Sequence, residues 1–381
     1  MKIACIALAQ IPSDRANTIH TMKVCQAFAQ MGHEVTLIVS EGPASSEERA
    51  WESLASHYGL RTRFNIVWLP LSPRWKRRDF TWKSVRYARQ IGADFLYVRP
   101  IPPAVVGLIR HMPVMLEMHD LPTGFGEWWY RFFLRIPGRK RLLPVTRALQ
   151  LALERRYGQT LPLENVIIAP NGVDLEQFVS LPGPATARRQ LGFPPAPTVV
   201  CTGHLYAGRG ADLFLALAQN RPLVRFVWVG GRPEDVEKWK SRAAEKGIAN
   251  ITYTGFISNE RVPLYQAAAD ALLMPYSRVI GISGGFGNSA EISSPMKMFE
   301  YMAAGRAIIS SDLPVIREVL NEKNAVLCPP EDVSAWQAAL DALLSDPARR
   351  AALACQARAD VESYTWIERA RRVLVGFGFG A

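Results

Sequence analysis

Two short stretches of the chain carry residue types that suit a phosphorylated ligand. The first runs Ser294-Pro295-Met296-Lys297-Met298-Phe299-Glu300-Tyr301-Met302-Ala303-Ala304-Gly305. Ser294 is a candidate helix cap, Pro295 suits the first helical position, and Lys297 falls in the first turn. A helix N-terminus beside a lysine attracts an anion, because its free N–H groups and its dipole both favour negative charge. Glu300 follows three residues later, one turn deeper, where a carboxylate can accept hydrogen bonds from a ribose diol. The same residues equally describe an ordinary capped amphipathic helix with Lys297 and Glu300 as a solvated pair. The second stretch is Gly203-His204-Leu205-Tyr206-Ala207-Gly208-Arg209-Gly210, between an apolar run and a helical pattern. Such a turn brings backbone N–H groups and a guanidinium to a phosphate, or is only a turn.

Other chemistries find less support. Gln10-Ile11-Pro12-Ser13-Asp14-Arg15 stands where a dinucleotide fingerprint would follow the first apolar run, so no G-x-G-x-x-G is present there. The chain has no D-x-D, and no His, Cys and Asp cluster with metal-ligand spacing, so no metal is expected. His119-Asp120 ends another apolar run, where a histidine serves either the structure or a ligand. Arg15, Asn17 and His20 stand just beyond the first run. They border an acceptor substrate, or are surface residues with Asn17 capping a helix.

The elements that must position these residues alternate regularly. Short apolar runs at 2–9, 65–69, 95–98, 114–118 and 166–169 read as buried strands, with Val35-Thr36-Leu37-Ile38-Val39 a further one. Helical periodicity lies between them, and Gly32 supplies a left-handed stop for the first helix. Residues 171–197 hold Pro182-Gly183-Pro184 and Phe193-Pro194-Pro195-Ala196-Pro197, which reads as a linker containing a short helix. Strands then resume at 198–202, 224–229, 251–254, 271–274, 307–310 and 325–327, with helices at 211–219, 233–246, 259–269, 295–304, 314–320 and 333–345. The expected fold is α/β: two doubly wound Rossmann-like domains facing a cleft, over 1–170 and 198–360. A C-terminal helix over 361–381 is expected to return to the first domain. Such sheets bind ligands at the carboxyl ends of their strands.

Composition narrows the class. With 381 residues, 49% of them hydrophobic, the chain can bury two cores and is not a disordered protein. Its five cysteines lack any C-x-x-C, against a disulfide framework and for a reducing, cytoplasmic compartment. The start, Met1-Lys2 with Ala7-Leu8-Ala9, resembles a signal peptide superficially but reads better as a first strand. No apolar run is long enough to span a bilayer. The net charge of +11 is uneven: residues 1–160 hold 23 Lys and Arg against 12 Asp and Glu, and the remainder holds 22 of each. Arg74-Trp75-Lys76-Arg77-Arg78 and Trp128-Trp129-Tyr130-Arg131-Phe132-Phe133-Leu134-Arg135, running on to Arg139-Lys140-Arg141, interleave aromatics with cations. That pattern suits an anionic membrane surface, or solvated charges around a buried helix. No zinc-finger, helix-turn-helix or RNP pattern points to nucleic acid.

Taken in order, several of these segments carry a family resemblance over nearly the whole chain. They are Asn171-Gly172-Val173-Asp174 with Phe178, the Gly203 to Gly210 turn, Gly255-Phe256-Ile257, Leu264 to Asp270, Met274-Pro275, and Ser294 to Gly305. Together they resemble the retaining GT-B glycosyltransferases of the large bacterial polysaccharide and lipid-glycan family (group 1, family 4 type). The resemblance implies that Arg209 and Lys297 hold the donor diphosphate and neutralise the departing nucleotide, with Gly208, Gly210, Ser294 and Pro295 around them. Glu300 matches the second glutamate of the family's E-x7-E pattern and would bind the ribose. Gly255, Phe256 and Ile257 would border the base, and His119 would face the donor sugar. The first glutamate of the pattern would fall at 292, which is Ile292, with Glu291 one residue off. Variants of this kind use backbone amides of the preceding loop, for which Gly284, Gly285, Phe286 and Gly287 are the candidates.

The implied activity is metal-independent transfer, with retention, of a hexose from a nucleotide-diphosphate sugar, UDP-hexose by preference, and no cofactor. The acceptor would be a glycan or membrane-held lipid at the cytoplasmic face, met by the basic first half. Competing readings are a UDP-sugar 2-epimerase of similar fold, a sugar-nucleotide-binding protein without catalysis, and a peripheral membrane or RNA-binding protein with a relic fold.

Overall fold

Parallel strands covered on both faces need short, continuous apolar runs, and twelve such runs become strands among the described residues. The computed structural model describes residues 1–72, 79–158, 161–280 and 288–377. It divides into two units, Met1–Asn171 with Trp366–Ala381, and Gly172–Thr365.

In the first unit the chain runs β1 (Lys2–Ala7), α1 (Ala16–Gln30), β2 (Glu34–Ser40), α2 (Trp51–Tyr58), β3 (Asn65–Leu69) and α3 (Asp79–Gln90). It continues through β4 (Phe95–Val98), α4 (Ile101–Ile109), β5 (Val114–Met118), α5 (Phe125–Arg135), β6 (Lys140–Pro144) and α6 (Arg147–Tyr157). The strands pair in parallel in the order β3-β2-β1-β4-β5-β6.

The second unit opens with α7 (Pro184–Gln190), β7 (Thr198–Thr202), α8 (Ala211–Gln219), β8 (Arg225–Val229), α9 (Pro233–Glu245), β9 (Ile251–Tyr253) and α10 (Val262–Ala267). Then come β10 (Ala271–Met274), α11 (Met296–Ala303), β11 (Ala307–Ser311), α12 (Pro314–Arg317), β12 (Val326–Cys328), α13 (Val333–Ser345) and α14 (Pro347–Asp360). Its order, β12-β11-β10-β7-β8-β9, is the same permutation. The final helix, α15 (Trp366–Leu374), belongs to the first unit. Each sheet therefore reverses direction once, between β1 and β4 and between β7 and β10. A crevice opens at the carboxyl ends of such a pair.

Several expected elements differ in detail. The strand expected at 166–169 is a single bridge, Leu142 to Val166. The sixth strand is β6, hidden in the sequence by its two cations. Lys140 Nζ caps the end of α5, donating to the carbonyls of Phe133, Leu134 and Ile136. Arg141 is buried and donates to the carbonyls of Val373 and Val375. These two cations of the basic half thus face inward. Helix α1 starts before Asn17, with Arg15 as its cap residue and no side-chain capping bond, so Asn17 is exposed in the first turn rather than a cap. Likewise Pro295, not Ser294, is the cap residue of α11, again without a capping side chain. Helix α14 is hidden by its polar Ala and Arg composition, although Asp346 caps it by accepting from Arg349 N at 2.9 Å. The Pro-rich stretch packs as part of the second unit: Ala187 of α7 joins Ala267 and Ala268 in a small apolar cluster.

Candidate functional site

At the reversal of the second sheet, the Gly203 to Gly210 turn leaves β7 and lies against the end of β10. Gly208 and Gly210 have φ of +82° and +84°, backbone that side chains rarely adopt, and a β-carbon at Gly208 would lie 2.5 Å from the Val279 carbonyl oxygen. Glycine at these positions therefore lets two backbones touch, and the touching places Arg209. Its guanidinium stacks 4.6 Å from the ring centre of Tyr206 and 4.8 Å from that of Tyr276. Nη1 donates to Tyr276 Oη at 2.6 Å and Nη2 donates to Tyr206 Oη.

Lys297, in the first turn of α11, is buried rather than solvated. Its Nζ donates to the Thr202 carbonyl at 2.9 Å and stands 4.7 Å from the centre of the Tyr276 ring. Tyr301, one turn on, accepts from Thr202 N at 2.7 Å and donates to the Leu273 carbonyl, tying α11 to the ends of β7 and β10. Among the described residues neither Arg209 nor Lys297 has a carboxylate partner, and Arg209 Nε is buried without an acceptor. Two cations held by rings and neutral oxygens leave an electrostatic demand that an anionic ligand meets.

The remaining residues expected here are placed as follows. Glu300 is half-buried and receives Gln266 Nε2 at 3.4 Å. Ser294 is buried just before the helix. Gly255 turns the chain after β9 with φ +72° and accepts from Gly230 N at 2.9 Å, leaving Phe256 50% exposed and Ile257 half-buried. Ile292 is buried, and the neighbouring Glu291 is exposed, accepting from Asn288 Nδ2. Gly284, Gly285, Phe286 and Gly287 lie outside the described residues.

A second constellation lies in the first unit, around Glu117 of β5. This carboxylate is wholly buried and accepts from Tyr97 Oη, His119 Nε2 and Arg369 Nη2, the last at 2.9 Å. His20 Nε2 stands 2.5 Å from its Oε1, while His20 Nδ1 faces Asn171 Oδ1 at 2.7 Å. Burial alone would push the Glu117 carboxyl up, but His20, Arg369 and His119 hold it well below the usual range. Burial, followed by the charge of Arg99, takes His119 down to about 3, and burial lowers His20 as well. His119 is therefore neutral at physiological pH. Its one N–H goes to Glu117, so Nδ1 carries a lone pair for a hydrogen-bond donor.

His20, Glu117 and His119 are metal-ligand types with donor atoms within 4.8 Å of one another. Two guanidiniums, Arg369 and Arg99, face the same carboxylate and supply the positive charge. The cluster fits a hydrogen-bonded ion pair better than a metal.

Of the first-unit trio expected to border an acceptor, only His20 joins this cluster. Arg15 is exposed, and Asn17 contributes its carbonyl to Arg99 at 2.9 Å. Glu117, Arg99 and Arg369 were missed, although a glutamate inside the apolar run 114–118 already demands a buried partner.

The aromatic-basic segment resolves into two faces of α5. Tyr130 and Phe133 are core, whereas Phe125 (86% exposed), Trp128 (58%) and Phe132 face outward, together with Arg131 and Arg135. Trp128 and Phe132 stack with ring centres 5.4 Å apart. Arg74 to Arg78 lie outside the described residues. Among the described residues no helix is long and apolar enough to cross a membrane.

Comparison with known proteins bears on both units. Residues 18–177 match the family described as Glycosyltransferase Family 4, and residues 196–346 match Glycosyl transferases group 1. A D-inositol 3-phosphate glycosyltransferase of Xylanimonas cellulosilytica is 30% identical over 245 residues, 61% of this chain and 55% of that protein. An alpha-galactosylglucosyldiacylglycerol synthase of Streptococcus pneumoniae is 27% identical over 63% of this chain and 58% of its own. The chain thus spans somewhat over half the length of the curated relatives it matches. Among solved structures, sucrose-phosphate synthase from Thermosynechococcus elongatus superposes with a TM-score of 0.73 at 19% identity, covering 97% of this chain and 96% of that one. HepE of Anabaena, solved with UDP and glucose, gives 0.74 at 17%, covering 98% of each. At such identities the likeness is one of fold, two parallel six-stranded sheets with flanking helices.

Proposed function

We propose, for a chain that belongs to the group 1, family 4 type of glycosyltransferase and has its GT-B fold, that it transfers a hexose from a nucleotide-diphosphate sugar to a glycan or membrane-held acceptor. The observation that carries this reading is the pair of cations, Arg209 and Lys297, held without a carboxylate among the described residues at the reversal of the second sheet. An attacking acceptor hydroxyl forms a bond to the anomeric carbon as that carbon's bond to the diphosphate oxygen breaks. The electron pair leaves with the diphosphate, and the hydroxyl proton passes to the departing phosphate oxygen on the same face, which gives retention. Charge develops on that oxygen, and fixed cations stabilise it most when water is excluded. Arg209 and Lys297 supply the charge in this reading, so no divalent ion is required.

Glu300, steadied by Gln266, is the proposed ribose ligand, and exposed Phe256 the platform for the base. His119 offers its Nδ1 lone pair to a substrate hydroxyl. UDP-hexose is the proposed donor. GDP-mannose is the rival, because a relative of Mycolicibacterium smegmatis, 28% identical over 60% of this chain, is named a GDP-mannose-dependent phosphatidylinositol monomannoside mannosyltransferase. The outward aromatics and arginines of α5 are the proposed contact with an anionic cytoplasmic membrane surface, where a lipid-linked acceptor resides.

The test is a melting panel of UDP-, GDP-, ADP- and CMP-sugars, since a ligand that binds only the folded chain raises its melting temperature. One nucleotide is expected to stand out, and product analysis with that donor then reads the anomeric configuration. A flat panel across all four nucleotides removes the donor site and the activity with it.

A further inference from the structure

Arg209 commits both terminal nitrogens to phenol oxygens, Nη1 to Tyr276 and Nη2 to Tyr206. A guanidinium has no acceptor, so neither hydroxyl hydrogen can point back at it. Each phenol accepts from a full positive charge and keeps one O–H to give elsewhere. That O–H is the stronger donor for the polarisation. Among the described residues neither hydrogen has an acceptor: the bonds at the two oxygens are those they receive from Arg209. Tyr276 is buried, and the Lys297 ammonium stands 4.7 Å from its ring centre, so one ring contacts both cations. Two polarised O–H donors and an ammonium with protons to spare converge at the reversal of one sheet.

We infer that Tyr206 and Tyr276 are direct ligands of the diphosphate, their hydroxyl hydrogens donating to phosphate oxygens while Arg209 polarises and positions them from behind. This rests on the reading of the second unit as a nucleotide-sugar site, and it names the atoms that touch the anion. The sequence places Tyr206 within the Gly-rich turn and Tyr276, with Pro275, at a neighbouring strand end, but assigns neither hydroxyl a partner.

The experiment measures binding of UDP and uridine, with GDP and guanosine in parallel, to wild type, Tyr206→Phe, Tyr276→Phe and the double variant by calorimetry. Phenylalanine keeps each ring over Arg209 and deletes only the hydroxyl. Each single variant is expected to weaken the diphosphate about tenfold, as loss of a hydrogen bond to a charged group does, with the nucleoside unchanged. Diphosphate affinity equal to wild type in both singles overturns the inference. So does an equal fall for nucleoside and diphosphate, which would make the hydroxyls structural. Tyr206 is only half-buried, so its variant decides the matter even if Tyr276→Phe fails to fold. Wild type that binds neither diphosphate removes the site itself, a failure distinct from a normal wild type with indifferent variants.

Discussion

A β-carbon at Gly210 would lie 1.8 Å from the carbonyl oxygen of Pro275, so the Gly-rich turn and the end of β10 meet backbone to backbone. That approach puts Arg209 beside Tyr276, the residue after Pro275. The glycine is required twice over, by its φ of +84° and by the absence of room. Gly210→Ala is expected to cost at least ~2 kcal/mol, combining backbone strain with displacement of β10. The melting temperature should fall and nucleotide binding should weaken with it. An alanine variant that melts with wild type and binds UDP equally would show that the two backbones do not touch.

The buried cluster in the first unit sets an acid limit on stability. His119 and His20 have values below 6.5 in the folded chain, so as pH falls through 6.5 the unfolded chain takes up protons that the folded one refuses. Stability contributed by these groups is full above 6.5 and declines toward about 3, the folded value of His119. Each histidine contributes a slope of up to ~1.4 kcal/mol per pH unit. Glu117, held below its ordinary 4.5, adds to the decline once pH drops under that value. Melting curves from pH 7 to 4 should show this fall, and His119→Asn should flatten part of it. An identical pH profile in the variant would rule out His119 as a contributor.

The role proposed for Lys297 can be separated from folding. Its ammonium is buried against a carbonyl and a ring, with no carboxylate among the described residues, so Lys297→Ala removes an uncompensated charge and should leave the melting temperature level or higher. Transfer should drop by on the order of a hundred- to a thousandfold, the usual loss when one donor to developing charge is deleted. Initial rates at saturating donor give the answer. Turnover within about tenfold of wild type would take Lys297 out of the departure of the nucleotide.

Much of this architecture was legible in the sequence because burial on both faces of a parallel sheet writes itself as short apolar runs. Ala211–Gln219 and Val333–Ser345 fall where periodicity puts them. The misses share a cause, polar residues used internally. Lys140 and Arg141 read as surface charge, yet they serve carbonyls at the ends of α5 and α15, so β6 does not stand out in the sequence. At the site, Lys297 and Glu300 stood out through their spacing along one segment and Arg209 through the Gly-rich turn that carries it. What the sequence leaves open is the pairing: Arg209 with Tyr206 and Tyr276, and Glu300 with Gln266, side chains brought together by the fold. Glu117 and Arg369 are 252 residues apart and meet only when α15 packs on the first sheet. Local pattern reports elements and cations, whereas pairing over such distances is a property of the folded chain.

The outward face of α5 separates exposed cations of the basic half, the proposed membrane contact, from cations already held by carbonyls. Phe125, Trp128 and Phe132 lie on one side of the helix with Arg131 and Arg135, while Lys140 is bound to three carbonyls and pushed down to about 8 by burial. A basic residue at an anionic leaflet gains ~1 kcal/mol, so Arg131→Glu with Arg135→Glu should weaken binding to anionic vesicles at least about thirtyfold. Trp128→Ser with Phe132→Ser should weaken it in a salt-independent way, because buried aromatic area is not screened. Lys140→Met should leave vesicle binding as in wild type and lower the melting temperature instead, since its ammonium is held by three carbonyls. Co-sedimentation with anionic and neutral vesicles at two salt concentrations distinguishes these outcomes. If the α5 variants sediment as wild type does, or wild type ignores anionic vesicles at low salt, the aromatic face is not a membrane surface.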